Sequence, residues 1–267
     1  MITSTSNPQV KNLQQLKKKV SARNEQDAFL VEGIKMFQEA PGERIQKLYV
    51  SKSLYDEKGA AFFGNSELEV LDDRVYASVS DTKTPQGVLC VMKQYHYSLD
   101  DLAGKKHPFL MILENLQDPG NLGTMIRTGE GAGITGVIMN NQTVDIFNPK
   151  TIRATMGSIF RVPFVYVPDL APVLEQMHAK GIYTYAAHLK GQEYYDSFSF
   201  REPTAFLIGN EGNGLSKEIS DQAGQYLKIP MEGRVESLNA SIAAALLMYE
   251  AHRQRSKTVT IPDPFAL

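Results

Sequence analysis

NLGTMIRTGEGAGITGVIMN, residues 121–140, sets the order of helix and strand in the second half of the chain. Within it, Gly131, Gly133 and Gly136 match the G-x-G-x-x-G fingerprint of dinucleotide-binding proteins. That fingerprint needs a strand before its first glycine and a helix after its last, so that the helix N-terminus faces a pyrophosphate. The apolar spacing predicts the reverse order, a helix followed by the strand GVIMN. We therefore interpret these glycines as a helix end and set a nicotinamide or flavin oxidoreductase aside.

Strands and helices alternate on both sides of this stretch. Strands are predicted for FLMILENL (109–116), GVIMN (136–140), FVYVP (164–168), IYTYAAH, TAFLIG (204–209) and YLKIP. Helices are predicted for NPKTIRATMG (148–157), residues 170–180, GLSKEISDQ and a long final segment from about 238 to 255. This alternation predicts an α/β domain over residues 109–267, with a mainly parallel sheet covered by helices on both faces.

Residues 1–97 predict a second, small α/β domain. One amphipathic helix is predicted over residues 7–28, because Val10, Leu13, Leu16 and Val20 have helical spacing. The strands predicted after it are FLVEG (29–33), KLYVSKS (47–53), LEVLDD (68–73) and TPQGVLCVMKQ (84–94), with helices at IKMFQEA and DDRVYASVSDT. Gly104, a lysine pair and Pro108 give the following segment the composition of a linker, which we place at residues 98–108.

Composition excludes several classes of protein. A single cysteine, Cys90, rules out an internal disulfide and favours a reducing compartment, so we expect a cytoplasmic protein. No apolar run is long enough to span a bilayer, and the N-terminus lacks the apolar core of a signal peptide, so no membrane partner is expected. The five histidines are scattered without metal-ligand spacing, so we expect no metal site.

The positive charge of the N-terminus is concentrated in a short arm. The net charge of the chain is −2, yet residues 1–23 contain no acidic residue. The basic residues of this arm are Lys11, Lys17, Lys18, Lys19 and Arg23. Such an arm can bind a phosphate backbone locally, and these five are our candidates for RNA contact. The same pattern also fits a solvated helix face.

Three segments carry the functional signal, and they occur in a fixed order. They are ENLQDPGNLGTMIRT (114–128), LIGNEGNGLS (207–216) and IPMEGRVESLNASIAAALLMYE (229–250). Together they resemble the motifs of the SpoU (TrmH) family of RNA 2′-O-ribose methyltransferases, within the SPOUT class, over about residues 108–256. Residues 1–97 look like the small substrate-binding domain that precedes the catalytic domain in ribosomal-RNA members. The resemblance implies S-adenosylmethionine as cofactor, RNA as partner, a trefoil-knotted catalytic domain and a homodimer.

The resemblance also implies a set of catalytic residues: Arg127, Asn121, Glu211 and Asn239. A ribose 2′-hydroxyl is a poor nucleophile, so a methyltransferase must orient it and stabilise negative charge on its oxygen. Arg127 suits this task because a guanidinium can hold the neighbouring phosphate, whereas its high pKa makes it a poor base. The alternatives are a surface ion pair for Arg127, an ordinary tight turn around Glu211, and helix capping by Asn239.

The cofactor-binding residues implied by the resemblance are Gly209, Ile229, Met231, Leu238 and Ser237. A glycine after a buried strand lets a ligand approach the backbone, and an adenosine slot is mostly apolar. Ser237 also fits a helix cap. The final helix is apolar nearly all round, which predicts that it is buried either in the core or in a dimer interface.

Two classes of function stay open on the sequence. The first is an enzyme that methylates a ribose in structured RNA, with ribosomal RNA favoured over transfer RNA by the look of the N-terminal domain. The second is a non-catalytic RNA-binding or ribosome-associated protein that uses the same basic arm. Measurable S-adenosylmethionine binding would distinguish them, since a protein that only binds RNA has no use for that cofactor.

Overall fold

The computed structural model describes residues 1–64 and 66–256, which form two compact units. The first unit combines residues 1–97 with segments 116–127 and 143–162. The second unit takes up segments 98–115 and 128–142 and everything from residue 163 onward. The two units therefore alternate along the chain, and the domain division at residues 97 and 109 stays a sequence prediction. Residues 257–267 of the predicted second domain lie outside the described residues.

The helices and strands follow one another in the alternating order of an α/β protein. The strands are β1 (Ala28–Glu32), β2 (Ile45–Ser51), β3 (Leu68–Leu71), β4 (Val88–Lys93), β5 (Phe109–Leu113), β6 (Gly136–Asn140), β7 (Phe164–Val167), β8 (Tyr183–Ala187), β9 (Glu193–Tyr194), β10 (Thr204–Ile208) and β11 (Gln225–Lys228). The α-helices are α1 (Pro8–Lys18), α2 (Val20–Glu25), α3 (Ile34–Glu39), α4 (Lys52–Lys58), α5 (Asp73–Val79), α6 (Leu99–Ala103), α7 (Pro119–Ala132), α8 (Pro149–Thr155), α9 (Ala171–Ala179), α10 (Lys217–Gln222) and α11 (Ala240–Arg255). None of these described helices is long and apolar enough to cross a lipid bilayer.

The first unit is built on a four-stranded sheet with the order β1-β4-β2-β3. The β2–β3 pair is parallel, and the other two pairs are antiparallel. Val31 of β1 lies opposite Cys90 of β4 in the middle of this sheet. Burial raises the pKa of the Cys90 thiol to about 12, so the lone cysteine is a packing residue.

The N-terminal helix predicted over residues 7–28 is two helices. Lys19 has an extended backbone (φ −117°, ψ 123°) and separates α1 from α2. Val10, Leu13 and Leu16 are fully buried, which confirms the predicted apolar face of α1. Val20 follows the break and is 47% exposed, because the change in chain direction removes it from that face. The helix α4 was not predicted.

The second unit is built on a seven-stranded sheet with the order β7-β6-β5-β10-β8-β11-β9. Every pairing in it is parallel. The strands β5, β6 and β10 are buried along their whole length, as their unbroken apolar runs predicted. The predicted α/β fold with a mainly parallel sheet is confirmed, and the trefoil knot stays a prediction.

The segment predicted to be a linker contains the packed helix α6. Ser98 starts it with a capping box, in which the Asp101 backbone N–H donates to Ser98 Oγ and the Ser98 backbone N–H donates to the Asp101 carboxylate. Leu102 is fully buried against Gly136 of β6, where a Cβ would meet its Cγ at 2.4 Å. Leu102 and Ala103 therefore belong to the core of the second unit.

Truncation of Leu102 tests this packing. We expect Leu102→Ala to lower the free energy of unfolding by about 2–5 kcal/mol, because it opens a cavity over Gly136. Leu99→Ala on the same helix is the matched control and should cost less, since Leu99 is only half-buried. Urea unfolding followed by circular dichroism measures both variants. Equal losses would show that α6 is not anchored through Leu102.

Candidate active site

A cavity opens at the carboxyl ends of β8, β10 and β11, which are neighbours in the sheet. Its walls are segments 187–189, 208–215 and 227–231, and residues at the start of α11 close it. Ligands of parallel α/β sheets bind at this edge. The cavity brings together six residues singled out by the sequence: Gly209, Glu211, Ile229, Met231, Ser237 and Leu238.

Gly209 lies where the chain leaves β10 and folds back on itself. A Cβ at this position would lie 2.1 Å from the carbonyl carbon of Gly214 and from the backbone nitrogen of Leu215. No side chain fits there, because both neighbours are backbone atoms that cannot move aside. Glycine is therefore required to bring the 209–215 loop across the cavity.

Asn210 holds this loop in shape. Its side-chain Oδ1 accepts hydrogen bonds from the backbone N–H groups of Gly212 (2.9 Å) and Asn213 (3.1 Å). Its Nδ2 donates to the backbone carbonyl of Asn115, just beyond β5, at 2.8 Å. One carboxamide thus closes the turn and ties it to the neighbouring strand.

Glu114 ties down the far end of the same loop. Its buried carboxylate accepts a hydrogen bond of 2.7 Å from the backbone N–H of Ser216. Its own backbone N–H donates to the carbonyl of Ile208, which continues the β5–β10 pairing by one residue. The loop is therefore fixed at both ends to the strand β5.

The opposite wall is mainly apolar. Ile229, Met231 and Leu238 are half-buried around the cavity, whereas Ser237 is exposed at its rim. An apolar wall facing a turn that offers backbone polar groups suits a flat, partly polar ligand. Among the described residues no cluster of histidine, cysteine and carboxylate groups could hold a metal ion.

His188 is a cavity residue that the sequence analysis missed. Its ring stacks on Tyr226 with 4.9 Å between centroids and 17° between planes. Its Nδ1 accepts a hydrogen bond of 3.0 Å from the backbone N–H of Lys190, so the neutral ring carries its proton on Nε2. The available signal was position, because His188 is the last residue of the predicted strand IYTYAAH and so lies at the ligand-binding edge.

Asn239 serves as the N-cap of α11. Its Oδ1 accepts from the backbone N–H of Ser241 at 2.9 Å and of Ile242 at 3.3 Å, and from the Ser241 hydroxyl at 2.6 Å. The capping alternative for this residue is therefore observed. By fixing the start of α11, Asn239 also holds Leu238 and Ala240 at the cavity.

Asn121 and Arg127 lie on α7, in the part that belongs to the first unit. Asn121 is buried, and its backbone N–H donates to the Asp118 carboxylate at 2.8 Å. This hydrogen bond, helped by Lys150, holds the pKa of Asp118 below its usual value. Arg127 is exposed, and its guanidinium forms no hydrogen bond or ion pair with any described residue, so it is available to a ligand.

Some basic residues of the arm are exposed, and others are bonded to the rest of the protein. Lys11, Lys18 and Lys19 are exposed. Lys17 is half-buried, and its ammonium group donates to the Ser80 carbonyl. Arg23 differs from the exposed lysines predicted with it, because it is only 2% exposed and its guanidinium is paired with Asp145 instead of facing solvent.

Comparison with protein families covers both predicted domains. A family model described as the SpoU rRNA Methylase family matches residues 108–249. A second, described as an MRM3-like substrate binding domain, matches residues 7–90. The 23S rRNA (guanosine(2553)-2′-O)-methyltransferase RlmP of Bacillus subtilis is 34% identical over 257 residues, which is 93% of this chain and 97% of that protein.

Solved structures give the same result. An rRNA methyltransferase from Sinorhizobium meliloti with bound AdoMet matches with a TM-score of 0.85 and 31% identity, over 96% of this chain and 98% of that one. The SpoU methyltransferase AviRb from Streptomyces viridochromogenes, in complex with AdoMet, matches with a TM-score of 0.84 and 26% identity, over 93% and 98% of the two chains.

Replacement of Asn210 tests what holds the cavity loop. We expect Asn210→Ala to lower the free energy of unfolding by about 1–3 kcal/mol, because three backbone groups lose their partner. Asn213→Ala, three residues along the same loop, removes an exposed carboxamide and should change stability by less than about 0.5 kcal/mol. Limited proteolysis between residues 209 and 216 gives a second readout. Similar cleavage of both variants would argue against Asn210 as the anchor.

Proposed function

Because this chain belongs to the SpoU rRNA methylase family, we propose that it transfers a methyl group from S-adenosylmethionine to a ribose 2′-oxygen of ribosomal RNA. The observation that carries this proposal is that the residues matched by the family model include those that line the cavity. Residues 108–249 contain every segment that lines the cavity. Ribosomal RNA is favoured because RlmP, a relative matched over nearly its whole length, is named for 23S rRNA.

The cavity residues suit S-adenosylmethionine. The Gly209 turn presents backbone groups, and Ile229, Met231 and Leu238 offer the apolar wall that an adenine ring needs. Ser237, which is exposed at the rim, is proposed to form a hydrogen bond with a polar part of the cofactor. When bound, the cofactor supplies an electrophilic methyl group on a sulfonium.

Arg127 is proposed to stabilise the reacting ribose oxygen. Its guanidinium is exposed and has no acidic partner among the described residues, so it is available to an RNA phosphate. This charge favours alkoxide character on the 2′-oxygen and orients it for in-line attack. Asn121 is proposed to support the site from α7, Glu211 to act from the cavity loop, and Asn239 to act through the start of α11.

RNA binding is assigned to the first unit. The substrate-binding family match covers residues 7–90, which include the basic arm. Lys11, Lys18 and Lys19 are the proposed phosphate contacts, because they are exposed and positively charged. A cytoplasmic location follows from the proposed ribosomal substrate and from a single buried cysteine.

A homodimer is proposed through α11. One face of this helix is buried and carries Ala244, Leu247 and Met248. Its other face carries exposed apolar side chains: Ile242 (50% exposed), Leu246 (37%) and Tyr249 (50%). A row of exposed apolar residues on one helix is typical of an interaction surface, and a second copy offers the same row for symmetric packing.

Transfer of labelled methyl from S-adenosylmethionine into RNA tests the activity and the role of Arg127. The wild-type protein should label a 2′-O-methyl nucleoside in ribosomal RNA from cells that lack it. Arg127→Ala should slow single-turnover transfer about 10²–10³-fold, because one stabilising charge is lost at the transition state. Its dissociation constant for S-adenosylmethionine should stay within about threefold of wild type.

Arg74→Ala is the matched control, since Arg74 is also an exposed arginine of the first unit. It should transfer methyl at the wild-type rate when RNA is saturating. Label on a base instead of a ribose would overturn the proposed reaction. Label in transfer RNA alone would overturn the proposed substrate, and normal turnover by Arg127→Ala would overturn the role of that arginine.

Light scattering tests the dimer. The wild-type protein should elute with twice the mass of one chain. Leu246→Glu should weaken association at least about 100-fold, because each copy would bury an unpaired carboxylate. Val20→Glu places the same charge on another exposed apolar residue, which is 47% exposed, and should remain a dimer. A wild-type monomer at all concentrations would contradict the interface.

A further inference from the structure

Arg23 and Asp145 form a buried ion pair across 122 residues of sequence within the first unit. Nε and Nη2 of Arg23 donate to Oδ2 of Asp145 at 2.8 and 2.6 Å. The side chains of Arg23 and Asp145 are 3% and 15% exposed. Loss of one partner from a pair this deep leaves an uncompensated charge. The pair therefore fixes residue 145 firmly against the N-terminal part of the unit.

Neighbouring contacts extend this anchor. Nη1 of Arg23 donates to the carbonyl of Leu16 at 2.6 Å, which ties the guanidinium to the end of α1. The other oxygen of Asp145, Oδ1, accepts from the backbone N–H of Phe147 at 3.0 Å. The Phe147 ring packs on Phe29 of β1 with 4.7 Å between centroids. Segment 145–147 is thus held by charge, backbone and ring contacts together.

The anchored segment starts the helix α8. The backbone N–H of Asn148 donates to the carbonyl of Asp145 at 3.0 Å, and Asn148 Oδ1 accepts from the Lys150 N–H as the N-cap. The Thr151 hydroxyl also donates to the Asp145 carbonyl, at 3.4 Å. The position of Asp145 therefore sets the position of the first turn of α8.

The helix α8 packs directly on α7 at Gly123. A Cβ on Gly123 would lie 2.6 Å from the carbonyl oxygen of Thr151 and 2.5 Å from Cβ of Ala154. The two helices therefore touch with nothing between their backbones, and a shift of α8 moves α7. Gly123 lies four residues before Arg127, which is about one helical turn.

We propose that Arg23 is a positioning residue for Arg127, acting through Asp145, α8 and Gly123. This inference rests on the proposed methyl transfer for its effect on rate, but its structural part stands without it. The basic arm then contains two kinds of residue. Lys11, Lys18 and Lys19 face solvent, whereas Arg23 faces inward and links the substrate-binding part of the unit to the arginine of α7.

The test compares Arg23→Met with Asp145→Asn, a milder change that keeps an acceptor for Phe147. Lys47→Met is the matched control, because Lys47 and Glu67 form an ion pair of 2.6 Å in the same unit, away from α7 and α8. Hydrogen exchange of the amides in residues 116–127 and 149–155 is measured below the unfolding transition. Single-turnover methyl transfer is measured at saturating RNA and cofactor, with the dissociation constant of S-adenosylmethionine.

We expect both variants of the pair to exchange faster in α7 and α8 and to transfer methyl at least 10-fold more slowly. Their cofactor affinity should stay within twofold of wild type, and Lys47→Met should match wild type in every measurement. In an Arg127→Lys background, Arg23→Met should slow the residual rate much less than it does alone, since both changes act on one group.

Two results would overturn the inference. One is unchanged exchange in 116–127 for both variants of the pair. The other is a normal rate per folded molecule, which would leave Arg23 a role in stability alone. If Arg23→Met does not fold, Asp145→Asn decides between these outcomes. A wild-type protein that shows no methyl transfer refutes the proposed function, and the exchange data then decide the linkage between Arg23 and α7 on their own.

Discussion

The parallel pairing of β10 with β5 on one side and β8 on the other is the constraint from which the cavity follows. In this register Leu207 lies opposite both Ile112 and Ala186, so the three strands end at the same level. Glu114 and Asn210 then lie just beyond the ends of β5 and β10. Their hydrogen bonds to the backbone of the 209–215 loop are a direct result. The first residue of this loop after β10 must be glycine, because a side chain at Gly209 would meet the backbone of Gly214 and Leu215.

Much of this arrangement could be predicted from the sequence because its causes are local. Unbroken apolar runs such as FLMIL and AFLI are typical of strands in a covered parallel sheet, and their alternation with helical segments predicted the α/β class. The cavity residues Gly209, Ile229 and Met231 stood in motifs that follow predicted strands. The family resemblance singled them out and the structure brings them to one cavity, although their roles in binding remain proposals.

Features that depend on distant residues could not be predicted. Arg23 belongs to the basic arm in the sequence, and the acidic residue at helical spacing from it is Asp27, whereas its partner in the structure is Asp145. The segment around Gly104 has the composition of a linker, yet it contains the helix α6. The buried Leu102 of this helix packs on Gly136 of β6, a contact between distant residues that the local sequence does not show. The final helix has apolar residues nearly all round, and only its packing in the structure shows which face is buried and which is exposed.

The interleaving of the two units has a consequence for synthesis on the ribosome. Arg23 leaves the ribosome 122 residues before Asp145. At a translation rate of roughly 5–20 residues per second, Asp145 is synthesised on the order of ten seconds after Arg23. Throughout that interval the nascent N-terminal segment carries a cation without its native partner. The first unit therefore cannot complete its folding as an independent N-terminal module, and its maturation is timed by the translation of the second half of the chain.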